Sequence, residues 1–208
     1  MPHPTTKSLV TCISLLVVVA GALAAPSVAA ADAKGSYALH GIGALPCGEL
    51  VLRMKENATA REQLASWLLG YVSATNRMSA NTYDALPTQQ VGVLAEIVGS
   101  VCGSNPSALV ETAALSVLKA LELARAPSES PLVTAAVNGK NVVLRKTALV
   151  AVQESLILRK LLNANATGEF SKATEQALRE FQKAEGFAET GLPDMTSMLR
   201  LLAPKDKP

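Results

Sequence analysis

Length, composition and charge restrict what this chain can be. It has 208 residues, with 19 lysines and arginines against 17 aspartates and glutamates, and a formal net charge of +2. A balance so close to neutral gives no electrostatic reason to expect a nucleic-acid partner. Only one histidine, His40, lies beyond the first thirty residues, and one histidine cannot supply the several histidine ligands of a zinc hydrolase.

The first thirty residues have the pattern of a secretory signal. Lys7 supplies a positive charge, residues 9–25 are almost wholly apolar, and alanine-rich sequence follows. This pattern predicts a cleaved signal peptide over 1–30, with cleavage within 29–32. We expect the mature protein to lie in the periplasm of a Gram-negative bacterium, with no membrane span. Two alternatives are an uncleaved membrane anchor, because the apolar run approaches spanning length, and a lipoprotein signal at Cys12.

An N-terminal helical domain is predicted over 36–126. Its apolar residues recur at helical spacing, and Gly-Ser-Asn-Pro at 103–106 is a helix stop signal. We expect Ser107 to be the N-cap of the helix that follows. Four helices are predicted, over 48–55, 60–78, 88–101 and 107–125.

Two cysteines remain after the signal peptide, Cys47 and Cys102. An even pair in an exported protein predicts a disulfide. A closed loop of this length stabilises the fold by about 4 kcal/mol in the loop-entropy model. A metal site is the alternative, but the mature chain has one histidine, His40, and no closely spaced cysteine pair.

Residues 127–146 are predicted to be a linker that contains a β-hairpin. Pro-Ser-Glu-Ser-Pro at 127–131 has linker composition. Beyond it, the runs 132–137 and 141–145 flank Asn138-Gly139-Lys140, and Asn-Gly between β-branched runs is a strong hairpin signal. A two-stranded hairpin is marginal in water, so it must pack on something else. A plain loop is the alternative.

Three short helices are predicted in the last third of the chain. The last two are joined by a loop that contains glycine and proline. Ser171 is expected to cap a helix over 172–185. Gly186 then ends that helix in the left-handed conformation that glycine adopts at low cost. Asp194 is expected to cap a final short helix, and the apolar stripe of an earlier helix includes Leu149. The predicted fold class is all-α apart from the hairpin: a disulfide-stapled helical N-terminal domain plus a three-helix C-terminal domain, with no long internal repeat.

A set of motifs runs through residues 147–204. These are Val152-Gln153, Gly168, Thr174 with Ala177, Phe181-Gln182, Gly186-Phe187, Thr190-Gly191 and Pro193-Asp194. With this spacing the segment resembles the peptidoglycan-binding-like three-helix domain of bacterial envelope proteins. Two positions depart from the family pattern. Thr167 stands where Asp is usual, and Arg159-Lys160-Leu161 replaces the usual Gly-Tyr after the first helix.

The resemblance implies peptidoglycan binding, with four candidate contact residues: Arg179, Gln182, Lys183 and Thr190. Such binding needs a shallow groove with polar groups for acetamido, hydroxyl and stem-peptide carboxylate groups. As alternatives, Arg179 and Lys183 are solvated helix residues, Gln182 is a surface residue and Thr190 a turn residue. Aromatic residues make up only 3% of the chain, whereas glycan binders usually offer an exposed ring. A domain that has kept its fold and lost its ligand is therefore a further alternative.

The N-terminal part carries a weaker resemblance. Its points of match are Cys47, residues 67–71, Cys102 and Asn105-Pro106. They are similar to small periplasmic helical domains of proteobacterial proteins of unassigned role, which are themselves loosely similar to HdeA-like acid chaperones. This resemblance implies an exported helical fold and no reaction.

Catalysis finds no support in the residue pattern. His40 and Cys47 echo a cysteine transpeptidase, but the Ser-Gly before the cysteine and the Arg after it are missing. A glycosidase needs two carboxylates at a set distance, and nothing singles out a pair. We therefore predict a non-enzymatic protein, with no metal and no cofactor, that binds peptidoglycan through 147–204. Its N-terminal domain is predicted to engage an unknown envelope protein. The alternative is a periplasmic adaptor or chaperone-like protein that binds no glycan.

Overall fold

The computed structural model describes residues 1, 32 and 34–203. Its contacts divide the chain into two units, Met1–Tyr37 and Ala38–Pro208. In the first unit, the carboxylate of Asp32 accepts hydrogen bonds from the backbone N–H groups of Lys34 and Ser36, each at 2.8 Å. The predicted signal peptide and its cleavage site lie outside the described residues, apart from Met1 and Asp32.

The second unit is mostly helical, with one β-hairpin, which confirms the predicted fold class. Its α-helices are α1 (Cys47–Glu56), α2 (Ala58–Met78), α3 (Val91–Ser104), α4 (Val110–Ala120), α5 (Lys146–Leu158), α6 (Lys172–Ala184) and α7 (Met195–Leu202). The two strands are β1 (Leu132–Val137) and β2 (Lys140–Arg145), and two 3₁₀ turns are η1 (Gly41–Ala44) and η2 (Glu122–Ala124). No helix in the part of the chain that the structure describes is long and apolar enough to cross a membrane.

The N-terminal helices pack around α3, which contacts α1, α2 and α4. The predicted disulfide is present between Cys47, at the start of α1, and Cys102, near the end of α3, with their Cα atoms 4.6 Å apart. Both cysteines are fully buried. The disulfide therefore joins two helices inside the N-terminal part of the core.

The predicted helix over 107–125 is wrong at both ends. The helix begins at Val110, and its N-cap is Leu109 with no side-chain cap, instead of Ser107. The reason is that the chain before α4 pairs with the start of α1: Cys47 N donates to Ala108 O at 2.8 Å. At the other end α4 stops at Ala120, and η2 tightens the chain into a 3₁₀ turn.

The predicted hairpin is confirmed, and the structure shows what it packs on. Asn138 and Gly139 form its turn, with φ of 50° and 77°, as expected for the left-handed residues of a tight hairpin turn. The other edge of β2 pairs with residues 87–89: Gln89 N donates to Val143 O, and Arg145 N to Pro87 O, each at 2.9 Å. The hairpin is therefore bonded to the segment between α2 and α3.

An ion pair reinforces this connection. Arg145 Nε lies 2.8 Å from Asp84 Oδ2, and its guanidinium carbon is 5.1 Å from the centre of the Tyr83 ring. Asp84 is buried, and its backbone pairs with Ala126, which comes just after η2. Residues 83–84 thus bond both to the end of the N-terminal helices and to the base of the hairpin.

The last three helices form the C-terminal part of the core. Helix α5 contacts both α6 and α7. Their fully buried large side chains are Leu149, Leu156, Leu178, Phe181, Met195 and Met198. Both α5 and α7 also contact η2, so this three-helix group packs on the end of the N-terminal part. The domain boundaries at 36–126, 127–146 and 147–204 stay predictions.

Candidate functional site

The loop between α6 and α7, residues 185–194, carries six of the thirteen motif residues. Ser171 is the N-cap of α6, and its hydroxyl accepts a hydrogen bond from Thr174 N at 3.2 Å. After α6, Gly186 has φ of 71°, and Phe187 N donates to Gln182 O at 2.8 Å. Asp194 caps α7 by accepting from Ser197 N at 2.8 Å. The predicted caps and helix stop are confirmed.

Gln182 is the centre of this loop. Its side chain is 0% exposed, so the alternative of a surface glutamine is wrong. Its Oε1 accepts from Gly191 N at 2.8 Å, and its Nε2 lies 3.0 Å from Leu192 O, 3.0 Å from Thr190 Oγ1 and 2.9 Å from Ser197 Oγ. Both ends of the amide are therefore used inside the protein, and Gln182 holds the loop in place.

Gln153 on α5 makes the same arrangement with the loop before α6. Its Oε1 accepts from Gly168 N at 2.8 Å, and its Nε2 donates to Glu169 O at 2.9 Å and to Thr174 Oγ1 at 3.1 Å. Gly168 and Gly191 have nearly equal φ, 70° and 69°. The C-terminal part thus contains two loops, each bound by one buried glutamine from the preceding helix.

A short repeat in the sequence, eight residues long, encodes these two loops. Thr-Gly-x-x-Ser-x-x-Thr at 167–174 and Thr-Gly-x-x-Asp-x-x-Ser at 190–197 place the same residue types at the same spacing. In both, the threonine hydroxyl accepts from the backbone N–H two residues later, at 3.2 and 3.1 Å. Thr167, which departs from the family pattern, therefore makes the same turn as Thr190.

Arg179 packs along the outside of the second loop. It pairs with Glu175 at 3.1 Å and donates to the backbone oxygen of Glu189. A Cβ at Gly191 would lie 2.8 Å from Glu175 and 3.0 Å from Arg179, so only glycine leaves room for this pair. The Lys172 ammonium, and then the Arg179 guanidinium, hold the pKa of Glu175 below its ordinary value.

The four predicted contact residues thus lie in different environments. Gln182 and Thr190 are bonded to each other, and Arg179 bonds the same loop from outside. Lys183 follows Gln182 on α6 but is exposed, and within 34–203 it forms no ion pair. Of these four residues, Lys183 and the outer side of Arg179 face solvent. The role of all four residues in ligand binding stays a prediction.

The two residues that echoed a cysteine transpeptidase are bound elsewhere. Cys47 has no free thiol because it is in the disulfide. The backbone oxygen of His40 accepts a hydrogen bond from Trp67 Nε1 at 3.0 Å. Across the described residues, no group of three or more His, Cys, Asp and Glu side chains is placed to hold a metal ion.

Comparison with known proteins identifies the C-terminal part. No curated protein and no solved structure matches the chain. One family model matches residues 145–198, which run from the end of β2 into α7 and include both glutamine-bound loops. That family is described as "Putative peptidoglycan binding domain", so the resemblance of the C-terminal three-helix part to peptidoglycan-binding domains is confirmed.

Proposed function

We propose that this chain is an exported, non-enzymatic protein that binds peptidoglycan through its C-terminal domain. The observation that carries the proposal is the match of residues 145–198 to a peptidoglycan-binding family. The matched family is one of binding domains, and the two loops that contain its motifs are held by buried, fully bonded glutamines. A surface held this firmly loses little conformational entropy when a ligand binds.

In this proposal the ligand contacts the outer face of residues 179–190. Lys183 offers an exposed ammonium for a stem-peptide carboxylate, and Arg179 presents its guanidinium at the loop surface. Gln182 and Thr190 act by setting the loop, because their polar atoms are bonded to Gly191, Leu192 and Asp194. The proposed location is the periplasm, reached through the predicted signal peptide.

The N-terminal helices are proposed to engage a protein partner in the same compartment. They carry a groove of about 720 Å³ beside Trp67, lined by η1, by Arg53 of α1 and by the first half of α2. Leu52 and Leu69 are exposed on α1 and α2. The groove and these exposed apolar side chains support a protein contact on this part.

Sedimentation with isolated sacculi tests the wall-binding proposal. We expect the purified protein to pellet with sacculi, and the double variant Arg179→Ala/Lys183→Ala to pellet severalfold less. The matched control is Arg77→Ala/Lys140→Ala, because both of these residues are exposed and lie outside the matched segment. Full-length variants are needed: a fragment that ends at 125 lacks Ala126, which pairs with Asp84, and β2, which pairs with 87–89.

Two other outcomes lead to different conclusions. If the wild-type protein stays in the supernatant, the proposal is wrong, and the adaptor that binds no glycan becomes the better description. If the double variant pellets as well as the wild type, the protein binds the wall through a different face.

A further inference from the structure

A second surface of the C-terminal part has the properties of a ligand site. It is a groove of about 530 Å³ between η2, α5 and α7, which we name the leucine groove. Its lining residues include Leu123, Glu154, Leu158, Arg159 and Leu201. Leu123 lies outside the segment that matches the family, so the N-terminal part supplies one wall.

The two rims of the leucine groove are unusually exposed apolar side chains. Leu158 is 80% exposed and Leu123 is 67% exposed, the highest values for a large apolar residue within 34–203. They are far apart in the sequence but line the same groove. Exposed apolar side chains that meet in one concave place mark a binding site more often than scattered ones do.

Arg159 lines the groove and has no counter-ion among residues 34–203. Its guanidinium carbon is 5.4 Å from the centre of the Phe181 ring, and its Nη2 donates to Leu201 O at 3.0 Å. Its Nε is buried without a hydrogen-bond partner in the described structure. No carboxylate of the described residues pairs with it, although partly buried arginines are usually paired.

Glu154 supplies the opposite charge in the same groove. It is exposed, and the ion pairs of residues 34–203 do not include it. It precedes Arg159 by five residues, or about 7.5 Å along a helix axis. Two extended residues of a peptide span roughly 7 Å. A peptide whose free amine precedes its terminal carboxylate by two residues can therefore reach both charges.

We infer that the leucine groove binds the free end of a peptidoglycan stem peptide, an inference that rests on the proposed function. The terminal carboxylate pairs with Arg159, the amine of the diamino acid pairs with Glu154, and the methyl groups of terminal alanines lie on Leu123 and Leu158. A glycan strand fits this groove poorly, because sugars need polar side chains or exposed rings, whereas leucines form both rims. The stem peptide matches both the apolar lining and the two charges.

Titration calorimetry with synthetic stem peptides tests this inference. The probe is a stem pentapeptide that ends in a free D-alanyl-D-alanine carboxylate, and its C-terminal amide is the control ligand. We expect the wild-type protein to bind the acid about tenfold more tightly than the amide, since a hydrogen bond to a charged group contributes this much. Arg159→Gln should abolish the difference between acid and amide, whereas Arg77→Gln should keep it.

A second variant keeps the test valid if Arg159→Gln does not fold. Glu154→Gln changes an exposed side chain with no described partner, so it should fold normally. It should weaken binding of the free-amine peptide severalfold and leave binding of the N-acetylated diamino-acid peptide unchanged. Each charge is thus tested by one protein change and one ligand change, as in a double-mutant cycle.

Several results would overturn the inference. Equal binding of acid and amide by the wild type would do so, as would binding that neither variant changes. A wild-type dimer that Leu158→Ser dissociates would assign the groove to a second copy of the chain. If sacculi pellet the protein but the stem peptide does not bind, only this inference fails, and if neither binds, the proposed function fails with it.

Discussion

At the scale of single residues, the most informative side chains are the two buried glutamines. Gln153 is 2% exposed and Gln182 is 0% exposed, and each binds a backbone N–H and a backbone C=O of its loop. A buried amide is stabilising only when both ends are bonded. These residues therefore contribute to the fold of the domain before they contribute to any ligand contact.

Replacing either glutamine by methionine should destabilise the protein strongly. Gln182→Met keeps the volume but leaves Gly191 N–H and Leu192 O without partners, and two unsatisfied buried groups cost about 3 kcal/mol together. Gln153→Met should have a similar effect at Gly168. The measurement is the free energy of unfolding in urea.

Gln176→Met is the matched control, because Gln176 is exposed on α6 and bonds only Glu180. Its effect should stay within about 0.5 kcal/mol. If all three variants have the same stability, the two amides do not hold the loops as described.

The sequence predicts the helix caps and the helix stop of this region. It does not predict that the two glutamines are buried and hold the loops. Ser171, Gly186 and Asp194 act locally, on backbone groups a few positions away, so residue type alone predicts their roles. Gln182 bonds backbone atoms nine and ten positions later, and nothing in its type distinguishes it from a surface glutamine. The short repeat at 167–174 and 190–197 is the sequence signal that reveals both glutamine-bound loops.

At the scale of elements, the end of α5 shows where the chain departs from the pattern of the matched family. Lys160 has φ of 62°, the left-handed conformation in which a residue with a side chain is strained. This is where the family pattern has a glycine close to the helix end. The helix nevertheless stops here, because Leu161 N donates to Leu156 O at 2.9 Å in a C-terminal cap.

Lys160→Gly should therefore stabilise the protein. Glycine removes the strain of the left-handed conformation, but it also has more conformational freedom in the unfolded chain. The free energy of unfolding should therefore rise by about 0.5–1 kcal/mol. The readout is the urea midpoint at constant denaturant slope. Lys183→Gly is the matched control within α6, and it should lower stability by up to about 1 kcal/mol. A loss of stability in Lys160→Gly would contradict the assigned backbone conformation.

The elements themselves were largely predictable, and the groove between them was not. Helical periodicity and the Asn-Gly turn act within short stretches, so seven helices of the described residues and the hairpin follow from local patterns. The start of α4 was predicted wrongly because its neighbouring chain pairs with the distant start of α1. The leucine groove could not be predicted either, because local patterns do not reveal contacts between distant residues. The groove forms only because the fold brings Leu123 and Leu158 to the same place.

At the scale of the whole molecule, the hairpin is the central connection. Residues 87–89 pair with β2, Asp84 pairs with Arg145, and Ala126 pairs with Asp84. The N-terminal helices and the C-terminal three helices are thus bonded to the same few residues. The contacts of the chain group Ala38–Pro208 as one unit.

Unfolding should consequently occur in one transition. Trp67, the single tryptophan of the chain, reports the N-terminal helices by fluorescence, and the amide proton of Gly191 reports the C-terminal part by NMR. We expect both signals to change at the same urea concentration. Asp84→Asn should lower both midpoints together, because loss of one partner of a buried pair costs about 3 kcal/mol.

Two separate midpoints would instead show that the parts unfold independently, as domains joined by a linker over 127–146 would do. Arg53→Gln is a suitable control, because the Glu49–Arg53 pair lies on exposed side chains within one helix. Such a pair contributes little to stability.

The buried glutamines also determine which parts of this domain are free to change. Each side-chain amide behaves like a detached peptide unit: it accepts from the N–H of one glycine and donates to the C=O of the next residue, as a neighbouring strand would. Asparagine is too short for this task, and glutamate has no N–H to donate. The amides also contact the hydroxyls of Thr174, Thr190 and Ser197, but at Glu169 and Leu192 they bond main-chain atoms, so the side chains of these two residues do not enter the contact. The exposed residues of either loop can therefore change without loss of the hydrogen bonds that hold the loop.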